Sequence, residues 1–181
     1  MTTLARTVCD QARLEPFEWG VAAADAGLRM GLNAEELKFE LSRFPRLYGM
    51  RRAQQVLRFA DGAAESPGES LSRVQMARLG IPEPILQFEI FDENGELVAR
   101  TDFGWPEHGL VGEMDGETKY GELLKPNEKP SHVIMREKQR EQRLRRLGWW
   151  PVRWGWAEAN SRDLLAPILL DGFGNAIPRA S

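Results

Sequence analysis

Between Arg100 and Lys119 the chain reads R-T-D-F-G-W-P-E-H-G-L-V-G-E-M-D-G-E-T-K, and three carboxylates and a lysine in it are spaced for chemistry. Asp102 closes an apolar run of Leu97, Val98 and Ala99. Pro106-Glu107-His108-Gly109 has the residue types of a turn, and Leu110-Val111-Gly112 then delivers Glu113 and Asp115. If the second run is a strand, residues two apart share a face, so Glu113 and Asp115 project together. If the two runs pair as a hairpin, Asp102 joins them at the same end of the sheet. Three converging carboxylates repel one another and call for a counter-charge. The usual one is a divalent cation with oxygen ligands. The pattern therefore points to Mg²⁺ or Mn²⁺ held by Asp102, Glu113 and Asp115, with Lys119 facing the same site: a metal-dependent nuclease centre. Against it stands the ordinary fate of acids at strand ends and turns, which is solvation, and Asp115-Gly116 is itself a good turn pair. The spacing, with an apolar run leading into both acids, favours the metal site.

These side chains need a sheet to hold them, and the flanking sequence supplies one. Leu86–Phe91 forms a strand by its apolar run, and Asp92-Glu93-Asn94-Gly95 is a hairpin turn with the favoured Asn-Gly pair. Leu97–Trp105 and Leu110–Met114 are the second and third strands. Residues 119–131, polar and carrying Pro126 and Pro130, form a loop. Ser131 caps a helix that runs to Leu147, and Trp149–Trp156 is a fourth strand. Ser161 caps a helix through Leu169. Upstream, Ser66-Pro67-Gly68-Glu69 opens a helix ending before Gly80, with Ser66 as N-cap and Glu69 completing a capping box. The first sixty residues divide into four helices, the third opened by the Asn33/Glu36 capping box, and Asp61-Gly62 breaks the last. The fold expected is α/β with a mixed sheet behind an N-terminal helical extension. The expected boundaries are 1–62 for the extension, 63–171 for the α/β domain and 172–181 for a tail.

The 181 residues suffice for a real core. A net charge of −3 means that nucleic-acid affinity must come from a local patch. Cys9 is the only cysteine, which excludes an internal disulfide, and with two histidines a structural zinc is not expected. Its apolar helical setting makes Cys9 a small core residue. The chain shows no charged leader with an apolar core and no membrane-length apolar stretch, so a cytoplasmic protein with no membrane partner is expected.

The segments S-P-G-E-S-L-S-R (Ser66–Arg73), T-D-F-G-W-P (Thr101–Pro106), G-E-M-D-G (Gly112–Gly116) and R-E-K-Q-R-E-Q-R-L-R-R-L-G-W (Arg136–Trp149) carry a resemblance. Together they resemble the very-short-patch-repair-type branch of the PD-(D/E)XK restriction-endonuclease-like superfamily. More closely they resemble the C-terminal domain of actinobacterial abortive-infection antitoxins or transcriptional regulators, without the N-terminal winged helix those relatives carry. The resemblance implies a core of helix, three-strand meander, helix and strand. It also implies Mg²⁺-dependent DNA endonuclease activity in phage defence or DNA repair, with Asp102, Glu113, Asp115 and Lys119 in catalysis and Glu69 pointing at the metal. The PD-(D/E)XK order puts lysine two residues after the second acid. Here Asp115 stands there and Lys119 follows four residues later, which opens an alternative: a catalytically silent nuclease fold that binds DNA as an antitoxin-type regulator.

The helix from Ser131 holds Arg136, Lys138, Arg140, Arg143, Arg145 and Arg146 against only Glu137 and Glu141. Some of these cations pair with the glutamates at helical spacing. The excess is a candidate phosphate-contacting set, Lys138 and Arg140 first, then Arg136 and Arg143. Arg140 shares the stripe of Val133, Glu137, Leu144 and Leu147, so its other option is to reach inward toward the carboxylates. The tryptophans of the last strand are expected in the core rather than stacked on bases. His108, in the turn, is a candidate proton shuttle. The helical extension is a candidate contact for self-association or for a toxin partner.

Overall fold

The computed structural model describes residues 2–116 and 130–178. The chain forms two compact units that divide between Val74 and Gln75.

The first unit is helical, with α1 (Leu4–Leu14), α2 (Phe17–Arg29), α3 (Ala34–Ser42), α4 (Met50–Phe59) and the first half of α5 (Pro67–Leu79). Thr3 caps α1 by accepting the Arg6 N–H. Asn33 and Glu36 form the expected capping box, each side chain accepting the other's backbone N–H at 2.9 and 2.8 Å. Val8, Cys9 and Ala12 give α1 one buried stripe, packed with Val21 and Ala24 of α2, Leu37 and Leu41 of α3, and Ala53 and Val56 of α4. The Cys9 thiol points at the Leu37 carbonyl, and burial, reinforced by Glu40 and Asp10, pushes its pKa up to about 11. Gly49 (φ 82°) begins α4 where a Cβ would lie 2.2 Å from the Arg13 carbonyl oxygen, so only glycine passes there.

The boundary falls past residue 62 because the start of α5 is tied into this core. Arg73 donates to Asp25 at 2.9 Å and to the Phe59 carbonyl at 2.8 Å, with Asp25 fully buried, and Val74 packs in the same cluster.

The second unit is α/β around a four-stranded mixed sheet in the order β1-β2-β3-β4. β1 (Ile85–Phe91), β2 (Leu97–Trp105) and β3 (Leu110–Met114) form an antiparallel meander. α6 (Pro130–Arg146) leads into β4 (Trp150–Trp154), which joins β3 in parallel. Along β3 the side chains alternate: Leu110 and Met114 pack with Val152 and Trp154 of β4 and with Leu165 and Leu169, while Val111 packs with Leu144 of α6. Gly112 belongs to the first of these faces, where a Cβ would lie 2.6 Å from the Trp154 ring.

The C-terminal end differs from the sequence expectation. β4 stops at Trp154 because Glu158 accepts the Gly155 N–H and starts a short helix, α7 (Trp156–Ala159). The last helix, α8 (Arg162–Asn175), runs beyond Leu169 into the expected tail. Pro167 on its exposed side forgoes one backbone hydrogen bond that water can replace. Gly172 sits so close to Val152 that a Cβ would be 2.8 Å from its methyl, and Phe173 meets the Trp105 ring edge-on, so burial carries the helix on. No described helix is long and apolar enough to cross a membrane.

Candidate active site

Asp102 and Glu113 are the chemistry-bearing residues that the sheet brings together. The β2–β3 register pairs Phe103 with Gly112, so the next positions outward are Asp102 and Glu113. Asp102 reaches across the ladder, and its Oδ2 accepts the Met114 N–H at 2.8 Å. Strand alternation turns Glu113 toward the face that carries α6, and a cation from that helix meets it. Arg140 donates to Glu113 Oε1 through both terminal nitrogens. Arg153, the parallel partner of Glu113 on β4, lies 3.0 Å from its Oε2 and 2.5 Å from Glu137. The result is a chain of alternating charge, Arg140–Glu113–Arg153–Glu137. Glu113 is 14% exposed, so these charges meet with water partly excluded. Burial, and next the charge of Arg153, push the Arg140 pKa below its ordinary value, while Asp102 opposes the shift.

A second feature points to the same place. Gln87 is the described non-glycine residue with positive φ, at 50°, and the β1–β2 register sets it opposite Asp102. A left-handed backbone costs a side-chain-bearing residue about 1–2 kcal/mol. Strain of this kind collects where a site needs a particular backbone shape.

The remaining candidates are distributed as follows. Asp115 donates its N–H to the Trp154 carbonyl, and its side chain is exposed one residue past the end of β3. The strand stops there, so the alternation that was to hold Asp115 beside Glu113 has no pairing on the β2 side to enforce it. Among the described residues no three His, Cys, Asp or Glu side chains gather to hold an ion, and the three-carboxylate convergence becomes a two-carboxylate one. Lys119 lies outside the described residues. Glu69 is buried in the first unit, its N–H donating to Ser66 Oγ as the expected cap requires, while its carboxylate accepts from Ser66 Oγ at 2.7 Å and the Glu65 N–H at 2.9 Å. His108 sits at the closed end of the hairpin with its ring edge-on to Phe173, three residue pairs, or about 10 Å, along the ladder from the carboxylates. That separation removes it as a shuttle at this site.

On α6, Lys138 and Arg136 are exposed, whereas Arg143 pairs with Asp92 at 2.7 Å. Backbone N–H groups of Glu96 and Asn94, with Arg143, hold the Asp92 carboxyl below its usual range. Arg140 took the inward option. Sequence reasoning missed Arg153 and Gln87. Arg153 had a signal, since it is the one cation in W-P-V-R-W, a strand otherwise apolar. Gln87 had none.

The donor set fits a divalent ion in kind, because carboxylate oxygens suit Mg²⁺ and Mn²⁺. Asp102 and Glu113 are the pair that would hold it, and the ion would compete with the guanidiniums now on both oxygens of Glu113.

No family model matches the chain, and no solved structure matches it. It is 34% identical over 149 residues, 82% of its length, to the uncharacterized proteins MT2308 and Rv2248 from two strains of Mycobacterium tuberculosis. The chain spans about half, 52%, of the length of these curated relatives.

Proposed function

We propose that the second unit is a restriction-endonuclease-like domain that hydrolyses DNA phosphodiester bonds with Mg²⁺ or Mn²⁺. The observation that carries this reading is the meeting of Asp102 and Glu113 on adjacent strands, with a strained Gln87 opposite. The element order α5-β1-β2-β3-α6-β4, with β4 parallel to β3, supports it, since the resembling superfamily has that core. When bound, the ion would lower the pKa of a coordinated water and offset charge on the scissile phosphate. This chain's own residues do the rest. The Met114 N–H fixes the Asp102 carboxylate, Arg140 and Arg153 hold Glu113 and offer donors to a phosphate oxygen, and Lys138 with Arg136 contacts the DNA backbone. Lys119 keeps its proposed role of orienting the attacking water. Phage defence or DNA repair is the setting this activity would serve.

The test is plasmid cleavage with Mg²⁺ or Mn²⁺, alongside thermal melting. Cleavage should disappear in Asp102→Asn and Glu113→Gln, while Glu107→Gln, in the hairpin turn, should cleave normally. Millimolar Mn²⁺ should raise the wild-type melting temperature, as a ligand at a hundred times its dissociation constant adds about 2.7 kcal/mol. Activity that survives both site substitutions would discredit these roles.

One observation favours a second reading, in which the fold is catalytically silent and binds DNA as an antitoxin-type regulator. Two guanidiniums already pair with Glu113, so that carboxylate has its counter-charge without an ion. Metal-independent gel shifts that weaken steeply with salt, with no cleavage and no Mn²⁺ response, would select it.

A further inference from the structure

We propose that the first unit carries a single-stranded nucleic-acid surface of its own, built from residues 38–58. It rests on the reading that this chain acts on nucleic acid. Residues 41–60 contain Arg43, Arg46, Arg51, Arg52 and Arg58 and no carboxylate. Two of these cations are already engaged, Arg43 with Glu40 and Arg52 with the Glu15 carbonyl. Arg46, Arg51 and Arg58 are exposed and make no ion pair among the described residues. Arg51 and Arg58 stand two turns apart on α4, on the face opposite its buried Ala53 and Val56.

Charge alone would fit any polyanion, and two further observations narrow it. Tyr48 is 77% exposed in the middle of the arginines, a ring with nothing stacked on it among the described residues and therefore a platform for a base. In the same unit a pocket of about 540 Å³ opens between α3 and α4, walled by Leu41, Pro45, Met50 and Leu57, with Pro45 and Met50 flanking Tyr48 in the sequence. Ser42 and Gln54 offer hydrogen-bonding groups in that pocket, and its charged lining residues are cations, Arg58 and Lys38, the second paired with Glu35 at 2.8 Å. Its size is in the usual range for small-molecule sites. An apolar wall for the base, an amide for its edge and guanidiniums for the phosphates describe an unpaired nucleotide better than an acidic helix, which needs no pocket for a planar ring. An acidic protein partner is kept as an outcome of the test.

The full chain is titrated with fluorescein-labelled oligothymidylate in metal-free buffer, across a series of salt concentrations. Replacing Arg46, Arg51 and Arg58 together by Gln should lower the slope of log affinity against log salt by about 2, at roughly 0.7 per lost single-strand phosphate contact. Tyr48→Ala should weaken binding by about 5- to 150-fold, the value of one stacked base. Photocrosslinking of wild type to a 5-iodouracil oligonucleotide, mapped by mass spectrometry, reads the same surface without any variant; adducts within residues 38–58 are expected. Wild-type binding and plasmid cleavage with a triple variant that binds like wild type, or adducts confined to residues 130–146, overturns this surface and leaves the proposed function standing. Equal displacement by polyglutamate, with no effect of Tyr48→Ala, also overturns it in favour of an acidic protein partner. A wild-type chain that neither binds the oligonucleotide nor cleaves plasmid sinks both.

Discussion

Each unit holds a carboxylate against arginine, and the two assemblies are built to opposite ends. In the first unit Asp25 is fully buried, paired with Arg73, bonded by the Asp61 N–H, and assisted by Ser70. Arg73 fills its remaining capacity with the Phe59 carbonyl and lies over the Phe59 ring. Burial still pushes the Asp25 pKa up, against Ser70, the Asp61 N–H and Arg73. Asp25 has one partner set and no exposed surface, so its counter-charge cannot be exchanged for a solvent ion. In the second unit Glu113 is shared by two arginines, one of which is shared in turn with Glu137, and Arg153 remains 35% exposed. Such a network can exchange one counter-charge for another at modest cost. Chemistry needs the second kind of carboxylate; a fold needs the first.

The largest break in this contrast should come from Arg73→Met, which strands the Asp25 charge in the core. A loss of about 3–5 kcal/mol is expected, read by urea denaturation; a change under about 1 kcal/mol would erase the distinction between the assemblies. Gly112→Ala should cost about 1–3 kcal/mol by driving a methyl into the Trp154 ring. It acts on the sheet below Glu113 rather than on its ion pairs, so it separates scaffold from site.

Gln87→Gly should move the other way, raising stability by about 1 kcal/mol through relief of the left-handed backbone. A destabilised variant would show that the side chain, not the backbone, holds that bend. Arg153→Ala should shift stability by under about 1 kcal/mol, as expected of a half-exposed pair. Because it frees one oxygen of Glu113, it should enlarge the Mn²⁺-induced rise in melting temperature; a smaller rise than wild type would mean that Arg153 supports ion binding instead of competing with it.

The smallest effect concerns Asp92, whose carboxyl is held low by N–H groups of Glu96 and Asn94 and by Arg143. A depressed carboxylate adds stability that is present above its ordinary pKa and is lost as pH falls through the folded value. Asp92→Asn should therefore flatten the decline in urea midpoint below about pH 4 and leave its slope near neutrality unchanged.

The elements were legible where local chemistry decides them. Asn33 with Glu36 and the Asp92–Gly95 turn start or reverse the chain through bonds a few residues long. The three strands of the meander followed from apolar runs and short connections, whereas the place of β4 beside β3 lies across a helix. Legibility failed where a distant surface overrides the local signal. The last helix was expected to end at Leu169, yet Gly172 against Val152 and Phe173 against Trp105 prolong it. The site divides the same way. Asp102 and Glu113 were found because strand period and hairpin pairing place them, and Arg140 was found because helical period does. Asp115 was expected in the cluster on the strength of a period that stops when β3 stops. Arg153 became a partner of Glu113 through a parallel register that no short-range pattern encodes.

That register also sets an order of events as the chain is made. The β1–β2–β3 meander can close on itself as soon as Met114 has emerged, but Arg153 follows Glu113 by about forty residues, or roughly two to eight seconds at ordinary translation rates. During this interval Asp102 and Glu113 face each other without Arg153, and β3 is an open edge with its pairing groups exposed. The newborn domain is thus most vulnerable to chaperone capture or mispairing while its acidic pair is complete and β4 is still inside the ribosome.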